Sequence, residues 1–403
     1  AYLLLSVVMG LGLRFTRSPW QALLVACVGV LGVTIWSAPQ IAVWLAGQGL
    51  WFMNTQGLSA GGLAKGWSQA LLVYCFVASI VPMWILLQPR GVIGATFLYA
   101  ALAFGVAGTL VGGWSSGGEL AISWPAFTGF EAQKLGYLFP FLFITVACGA
   151  CSGFHSIVAS GTTCKQVRSE KDVRPVAYGA MLLEALVAVF ALACVMILVK
   201  APQGAQPDTI YALGLGKFMS LLGFPVFFGV LFGVLAFISF VFDTVVVCTR
   251  LGRYVMQELT GMKGMMGGVV ATLVTLAAPS VYLWVNEAGS FATFWVIFGT
   301  SNQLLAALTL VGVSVWLWRT GRPVWFAVWP AVFMVLSTGT ALVLNFGRFA
   351  REYRANGQTA ALLNASIAAV LFMMAVLVVG EAIRVWRRAR KQPMVEIGAV
   401  AGG

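Results

Sequence analysis

The chain has 403 residues, 60% of them hydrophobic and 9% charged, with a mean hydropathy of +0.93. Soluble domains carry about a quarter charged residues, so these values exclude an ordinary soluble enzyme or binding module and leave a polytopic membrane protein. The formal net charge of +12 does not signal nucleic acid, because the Lys and Arg residues sit in short clusters at the ends of apolar runs, where topology signals belong.

Eleven apolar stretches succeed one another: 1–13, 20–46, 68–88, 91–113, 137–163, 175–199, 222–248, 265–286, 289–318, 323–346 and 359–381. All but the first are long enough to cross a hydrocarbon core of about 30 Å. Long runs rather than short alternating segments favour helices, which satisfy their own backbone, over a barrel, so the expected fold class is all-α. Residues 1–383 read as one membrane domain and 384–403 as a basic tail. Residue 1 is Ala inside an apolar run, and the expectation is that the natural N-terminus and some membrane helices lie outside this sequence.

Orientation comes from the distribution of Lys and Arg between alternate loops. One set contains Arg14, Arg17, Arg90, Lys165, Arg168, Lys171, Arg174, Arg250, Arg253, Lys263, Arg319, Arg322 and the tail cluster from Arg384 to Lys391. The other contains Lys65, Lys134, Lys200, Lys217, Arg348, Arg351 and Arg354. The first set is the richer, which places it and the C-terminus in the cytoplasm. The loops 47–67 and 114–136 are rich in Gly, Ser and Trp and read as outer, interfacial segments, with Glu119, Glu131 and Glu287 solvated at the same border.

The chemistry-bearing stretch is 139–184, FPFLFITVACGACSGFHSIVASGTTCKQVRSEKDVRPVAYGAMLLE. It places Ser152, Gly153, His155, Ser156, Ser160, Thr162 and Thr163 within an apolar run, a mixture that hydrocarbon does not tolerate unless the protein uses it. Ser152, Ser156 and Ser160 are spaced by four and would form one ridge, serving either close helix packing or a ligand. A helix loosened near Ser152 would turn a free N-terminus toward a carboxylate. Cys148-x-x-Cys151 with His155 puts three soft ligands near one face, but no fourth ligand is evident and such cysteines are ordinary small hydrophobes, so no metal and no cofactor is expected.

Three ionisable residues lie deep in apolar runs. His155 precedes Lys165 by ten residues and Glu184 comes ten after Arg174, so at 1.5 Å per residue both sit about 15 Å from the cytoplasmic border. Glu184 and His155 are candidate proton-coupling groups, the alternative being a neutral Glu184 hydrogen-bonded between helices. Asp243 lies about 10 Å inside by the same rise and would pair with Arg250, two turns on, or relay protons. In 289–318, Gly299-Thr300-Ser301-Asn302-Gln303 would either unwind to present backbone to a substrate or act as polar glue between helices. Asn302 and Gln303 are therefore candidate substrate ligands, and the segments 149–161 and 299–303 are expected to break and to face a shared cavity.

CGACSGFHSIVASGTTCKQV, RPVAYGAMLLEALVAV, YCFVASIVPMWILLQPRG, FDTVVVCTRLGRYVMQEL, FWVIFGTSNQLLAALTL and RPVWFAVWPAVFMVLSTGTALV resemble the blocks of the carbon-starvation (CstA-like) family of bacterial inner-membrane transporters. The resemblance implies a carrier with inverted repeats and discontinuous helices that takes up pyruvate or peptides. It places Ser152 to His155, Ser160 to Thr162, Lys165, Gln166, Glu184, Asp243, Asn302 and Gln303 on matching positions. Cys151 and Cys164 depart from the pattern, and the family's His-rich N-terminal region has no counterpart in the chain. The reading is a secondary transporter of a small carboxylate or short peptide, symported with a cation, H⁺ foremost, since no ATP-binding motif is present. A metabolite sensor or a channel is the alternative; a homo-oligomer remains open.

Overall fold

A computed structural model describes residues 2–16, 19–47, 60–115, 120–132, 136–198, 206–285, 292–357 and 359–389. They fold into two units, Ala1–Ala126 with Leu186–Ala288 and Phe127–Ala185 with Gly289–Gly403. Among the described residues, seven helical stretches are long and apolar enough to cross a membrane: Leu87–Trp114, Glu170–Met196, Val226–Thr260, Gly264–Trp284, Ile297–Arg319, Trp325–Asn356 and Thr359–Arg388. The protein is a multi-pass, all-α membrane protein. Its β-structure among these residues is one antiparallel pair of two-residue strands, β1 (Glu131–Ala132) and β2 (Gly136–Tyr137).

The first unit contains α1 (Tyr2–Phe15), α2 (Trp20–Trp36), α3 (Ala38–Gly47), α4 (Ala60–Ile80) and α5 (Leu87–Ser115). The second begins its helices with α6 (Leu138–Ala150), α7 (Gly153–Val158), a π-turn Ala159–Thr163, α8 (Glu170–Arg174) and a second π-turn Pro175–Gly179. Next comes α9 (Ala180–Met196), whose last eleven residues, 186–196, belong to the first unit. The first unit is completed by α10 (Pro207–Ser220), α11 (Val226–Thr260) and α12 (Gly264–Val285). The second is completed by α13 (Ala292–Arg319), α14 (Trp325–Asn356) and α15 (Thr359–Ala389).

The sequence contains no apolar run at α10, whose residues fall in the outer segment between 199 and 222. It forms because it packs on α11 through small residues: a Cβ on Gly229 would lie 2.8 Å from Gly216 Cα, and one on Gly233 2.8 Å from Ala212 Cα. Ala212-x-x-x-Gly216 thus meets Gly229-x-x-x-Gly233, the close backbone approach that drives helix pairing where water supplies no hydrophobic force. Pro207 in the first turn and Pro225 before α11 mark both helix starts.

Several cations expected in connecting segments prove to lie on helices. α11 is 35 residues and about 52 Å long, so it outruns the hydrocarbon core and carries Arg250 and Arg253 before ending at Gly261, φ +71°. Both guanidinium groups donate to the carbonyls that α4 leaves open at its C-terminus, Arg250 to Ala78 and Val81, Arg253 to Ser79. α14 likewise continues past residue 346, so Arg348, Arg351 and Arg354 lie in its last turns, ahead of Gly357 at φ +65°. α15 runs on through Arg384, Arg387 and Arg388. Arg90 lies inside the first turn of α5 rather than in a connection.

In the second unit α13, α14 and α15 enclose an apolar core of Ile297, Leu304, Leu342, Phe349, Ala365, Ala368 and Ala375. α6 and α7 also pack against α13, with Phe141 and Ile144 of α6 meeting Ala341 of α14.

Candidate functional site

The apolar run 137–163 is broken, as its composition predicts, and the break has a definite chemistry. Ser152 adopts extended backbone (φ −96°, ψ 126°), so the helix stops and restarts at Gly153. Two restarted amides are satisfied by side chains: Phe154 N–H donates to Asn302 Oδ1 at 2.7 Å, and His155 N–H to Ser152 Oγ at 3.4 Å. Asn302 Nδ2 also donates to Ser152 Oγ at 3.2 Å. An unpaired N–H in a membrane interior costs several kcal/mol, so this asparagine is what permits the break.

Gly153 is needed for the same contact. A Cβ there would fall 2.3 Å from Asn302 O, 2.4 Å from Leu305 Cβ and 2.7 Å from Ala306 N. The start of α7 therefore lies directly on the backbone of α13, and the helix N-terminus expected to receive a carboxylate is already capped by Asn302.

The segment 299–303 does not unwind. It lies within the uninterrupted helix α13, and its polarity is spent sideways, through side chains. Asn345 Nδ2 of α14 donates to Thr300 Oγ1 at 3.1 Å, Ser301 Oγ to Ile297 O at 2.7 Å, and Gln303 Nε2 to Phe143 O of α6 at 2.8 Å. Thr300 and Gln303 are buried. The expectation of a broken helix here is thus corrected in favour of polar glue: with donors and acceptors on neighbouring helices, the backbone keeps its own bonds.

The ridge of Ser152, Ser156 and Ser160 is also corrected. Ser152 is buried, Ser156 half-buried and Ser160 exposed, because the chain breaks at Ser152 and the π-turn beginning at Ala159 rotates the residues after it. Ser156 Oγ donates to Ser152 O at 3.3 Å, Ser160 Oγ to Ile157 O at 3.1 Å, and the buried Thr162 Oγ1 to Val158 O at 3.0 Å; Thr163 is half-buried. The side chain of Cys148, residues 48–59, Glu119, Lys134, Lys200, Glu287 and residues 390–403 lie outside those described.

His155 and Glu184, placed at equal depth by residue counting, are brought together: His155 Nδ1 lies 3.7 Å from Glu184 Oε2. Their side chains are 52% and 38% exposed, so the chain covers neither completely. The neighbouring helical surface is apolar, with Tyr178, Met181, Leu182 and Leu186 exposed.

Asp243 pairs with a different arginine from the one expected. Arg90 Nε donates to Asp243 Oδ1 at 2.6 Å, and Arg90 Nη1 to Tyr74 Oη at 2.6 Å, while Arg250 is engaged with the end of α4. Tyr2 Oη donates to the Arg90 carbonyl at 3.1 Å. Sequence reasoning missed Arg90 by reading it as a loop cation. The signal was Pro89 before it, a residue at home in a first helical turn, combined with an intramembrane acid in need of a counter-ion. A cavity of about 800 Å³ lies beside this network, bordered by Tyr2, Tyr74, Leu86 and Phe242, within the first unit. The residues that line this cavity all belong to the first unit, and none comes from 149–161 or 299–303.

The sequence model of the carbon starvation protein CstA family matches residues 1–206 and 201–341. The chain is 30% identical over 398 residues to the peptide transporter CstA of Helicobacter pylori, covering 79% of this chain and 54% of that protein. It is 30% identical over 372 residues to the pyruvate/proton symporter BtsT of Escherichia coli, covering 68% and 50%. To the peptide transporter CstA of Bacillus subtilis it is 26% identical over 389 residues, covering 83% and 62%. The chain spans about half the length of most of the curated relatives it matches. No solved structure matches it.

Proposed function

Since the chain belongs to the carbon starvation protein CstA family, we propose that it works as a proton-coupled uptake carrier of the bacterial inner membrane, for pyruvate or another small carboxylate, or for short peptides. The relatives named for peptides and for pyruvate with a proton support the substrate class and the coupling ion. The C-terminus is cytoplasmic in this reading, on the distribution of positive charge.

The observation that carries the reading is the contact between His155 and Glu184. A carboxyl and an imidazole 3.7 Å apart within membrane-spanning segments form a site whose charge changes with one proton, while the chain covers neither side chain completely. Substrate and proton then set each other's binding free energy, which is the thermodynamic content of symport. Ser156, Ser160 and Thr163, half-buried or exposed on the segment that follows His155, are the substrate-facing groups. Ser152, Gly153, Asn302 and Gln303 hold the broken helix and α6 against α13 and act on substrate through that scaffold, and Thr162 is spent on Val158 O of its own segment.

Labelled pyruvate and labelled diglycine, offered to proteoliposomes with and without an inward proton gradient, test the proposal. Accumulation that collapses with a protonophore is expected; uptake that ignores the gradient, or none of either compound, refutes it.

A further inference from the structure

Arg90 is completely buried, yet its charge is only partly used. A guanidinium group grips a carboxylate best through two parallel N–H groups on one edge. On the edge formed by Nε and Nη2, Asp243 engages Nε alone, through Oδ1, and Nη2 is buried without an acceptor among the described residues. Such an orphaned donor on a buried cation costs free energy in this state, a cost that an acceptor arriving at Nη2 would recover.

The pair is also asymmetric in access. The Arg90 side chain is 0% exposed and that of Asp243 29%. Gly94, one turn after Arg90, keeps the space beside the acid open, since a Cβ there would stand 3.3 Å from Asp243 Oδ2 and 3.4 Å from Tyr2 Oη. Tyr2 and Tyr74, which hold Arg90, also line the cavity of about 800 Å³. Among the described residues, the other titratable or charged groups that act on the pair are Tyr2 on α1, Tyr74 and Cys75 on α4, and Arg250 on α11.

We propose that Arg90 is the carboxylate-binding residue of the carrier and that Asp243 is the resident counter-ion which a substrate carboxylate replaces when Asp243 takes up a proton. The exchange balances. One proton from water joins Asp243, the bond from Arg90 Nε to Oδ1 is released, and the incoming carboxylate accepts from both Nε and Nη2. One carboxylate group and one proton enter together, so the Arg90–Asp243 pair keeps its net charge, and neither enters alone without leaving the guanidinium or a carboxylate uncompensated. Pyruvate and a peptide share one group, the carboxylate, and this site reads that group. The inference rests on the carrier reading and adds the substrate feature recognised in the first unit, apart from His155 and Glu184.

The test is binding of pyruvate and diglycine to the purified protein in weakly buffered solution with a pH dye, compared with pyruvamide and diglycine amide. The wild type should take up one more proton per bound carboxylate than Asp243→Asn, whose affinity should depend less steeply on pH. Arg90→Gln should lose about tenfold or more in affinity for the acids and little for the amides, in line with a charge-assisted hydrogen bond. The double variant Arg90→Gln, Asp243→Asn removes both buried charges, avoiding the misfolding that one orphaned charge can cause, and should bind as weakly as Arg90→Gln. Equal affinity for acids and amides, or unchanged proton uptake in Asp243→Asn, overturns this inference while leaving symport through Glu184 intact. If the wild type binds neither acid, the carrier reading falls and this one with it.

Discussion

Gly153→Ala isolates the contact on which the candidate site depends. The new methyl group would sit 2.3 Å from Asn302 O and 2.7 Å from Ala306 N, both backbone atoms of a continuous helix, and 2.4 Å from Leu305 Cβ. None of these can swing aside, so α7 must retreat from α13 by about 1 Å to restore ordinary contact, and overpacking of this kind costs about 1–3 kcal/mol. The retreat also stretches the 2.7 Å bond from Phe154 N–H to Asn302 Oδ1, a cap worth about 1 kcal/mol. Against this stands the roughly 1 kcal/mol by which alanine exceeds glycine inside a helix, leaving a net loss of about 1–3 kcal/mol. Gly347→Ala is the control: it lies within α14 with nothing within 4 Å of its added Cβ, and should be neutral or slightly stabilising. Thermal unfolding in detergent should place Gly153→Ala a few degrees below wild type and Gly347→Ala at or above it. Uptake should fall with the first and not the second, because α7 carries His155. If both variants melt and transport alike, the docking of α7 on α13 is wrong.

Glu184→Gln should abolish accumulation driven by a proton gradient while exchange between equal substrate pools survives, since exchange moves no net proton; wild-type accumulation would make Glu184 structural. His155→Gln retains hydrogen bonding but cannot titrate near neutral pH, so a loss of accumulation with retained binding assigns the imidazole to proton transfer, and unchanged accumulation assigns it to scaffolding. In a background without the exposed Cys164 and Cys248, Ser160→Cys should react with a maleimide and be protected by substrate, whereas the buried Ser152→Cys should resist; the reverse order would remove Ser160 from the substrate path. Lys171→Cys should be labelled by an impermeant reagent only after the cells are opened, and efficient labelling of intact cells would reverse the orientation.

The membrane character, the helical class and the family were legible without a structure, because hydropathy is summed over about twenty residues and survives local error. The break near Ser152 was legible for a similar reason, since small and polar residues in an apolar run have few other uses. Residue counting from the charged border also put His155 and Glu184 at one depth, and the 3.7 Å contact agrees with it. The order of residues does not contain the identity of a partner on another helix. Gly299 to Gln303 resembles a hinge by composition, yet Asn345 and Phe143 take up its polarity and Asn302 spends its own on Ser152 and Phe154, so the unwinding happens on the other side of the contact. Asp243 sits two turns from Arg250 along one helix, but helix packing brings Arg90, 153 residues away, to 2.6 Å. α10 reads as a loop until Gly229 and Gly233 offer it a surface. Hydrophobic length sets where helices form; which donor meets which acceptor is decided by the close packing of helices in a medium that leaves no polar group to water.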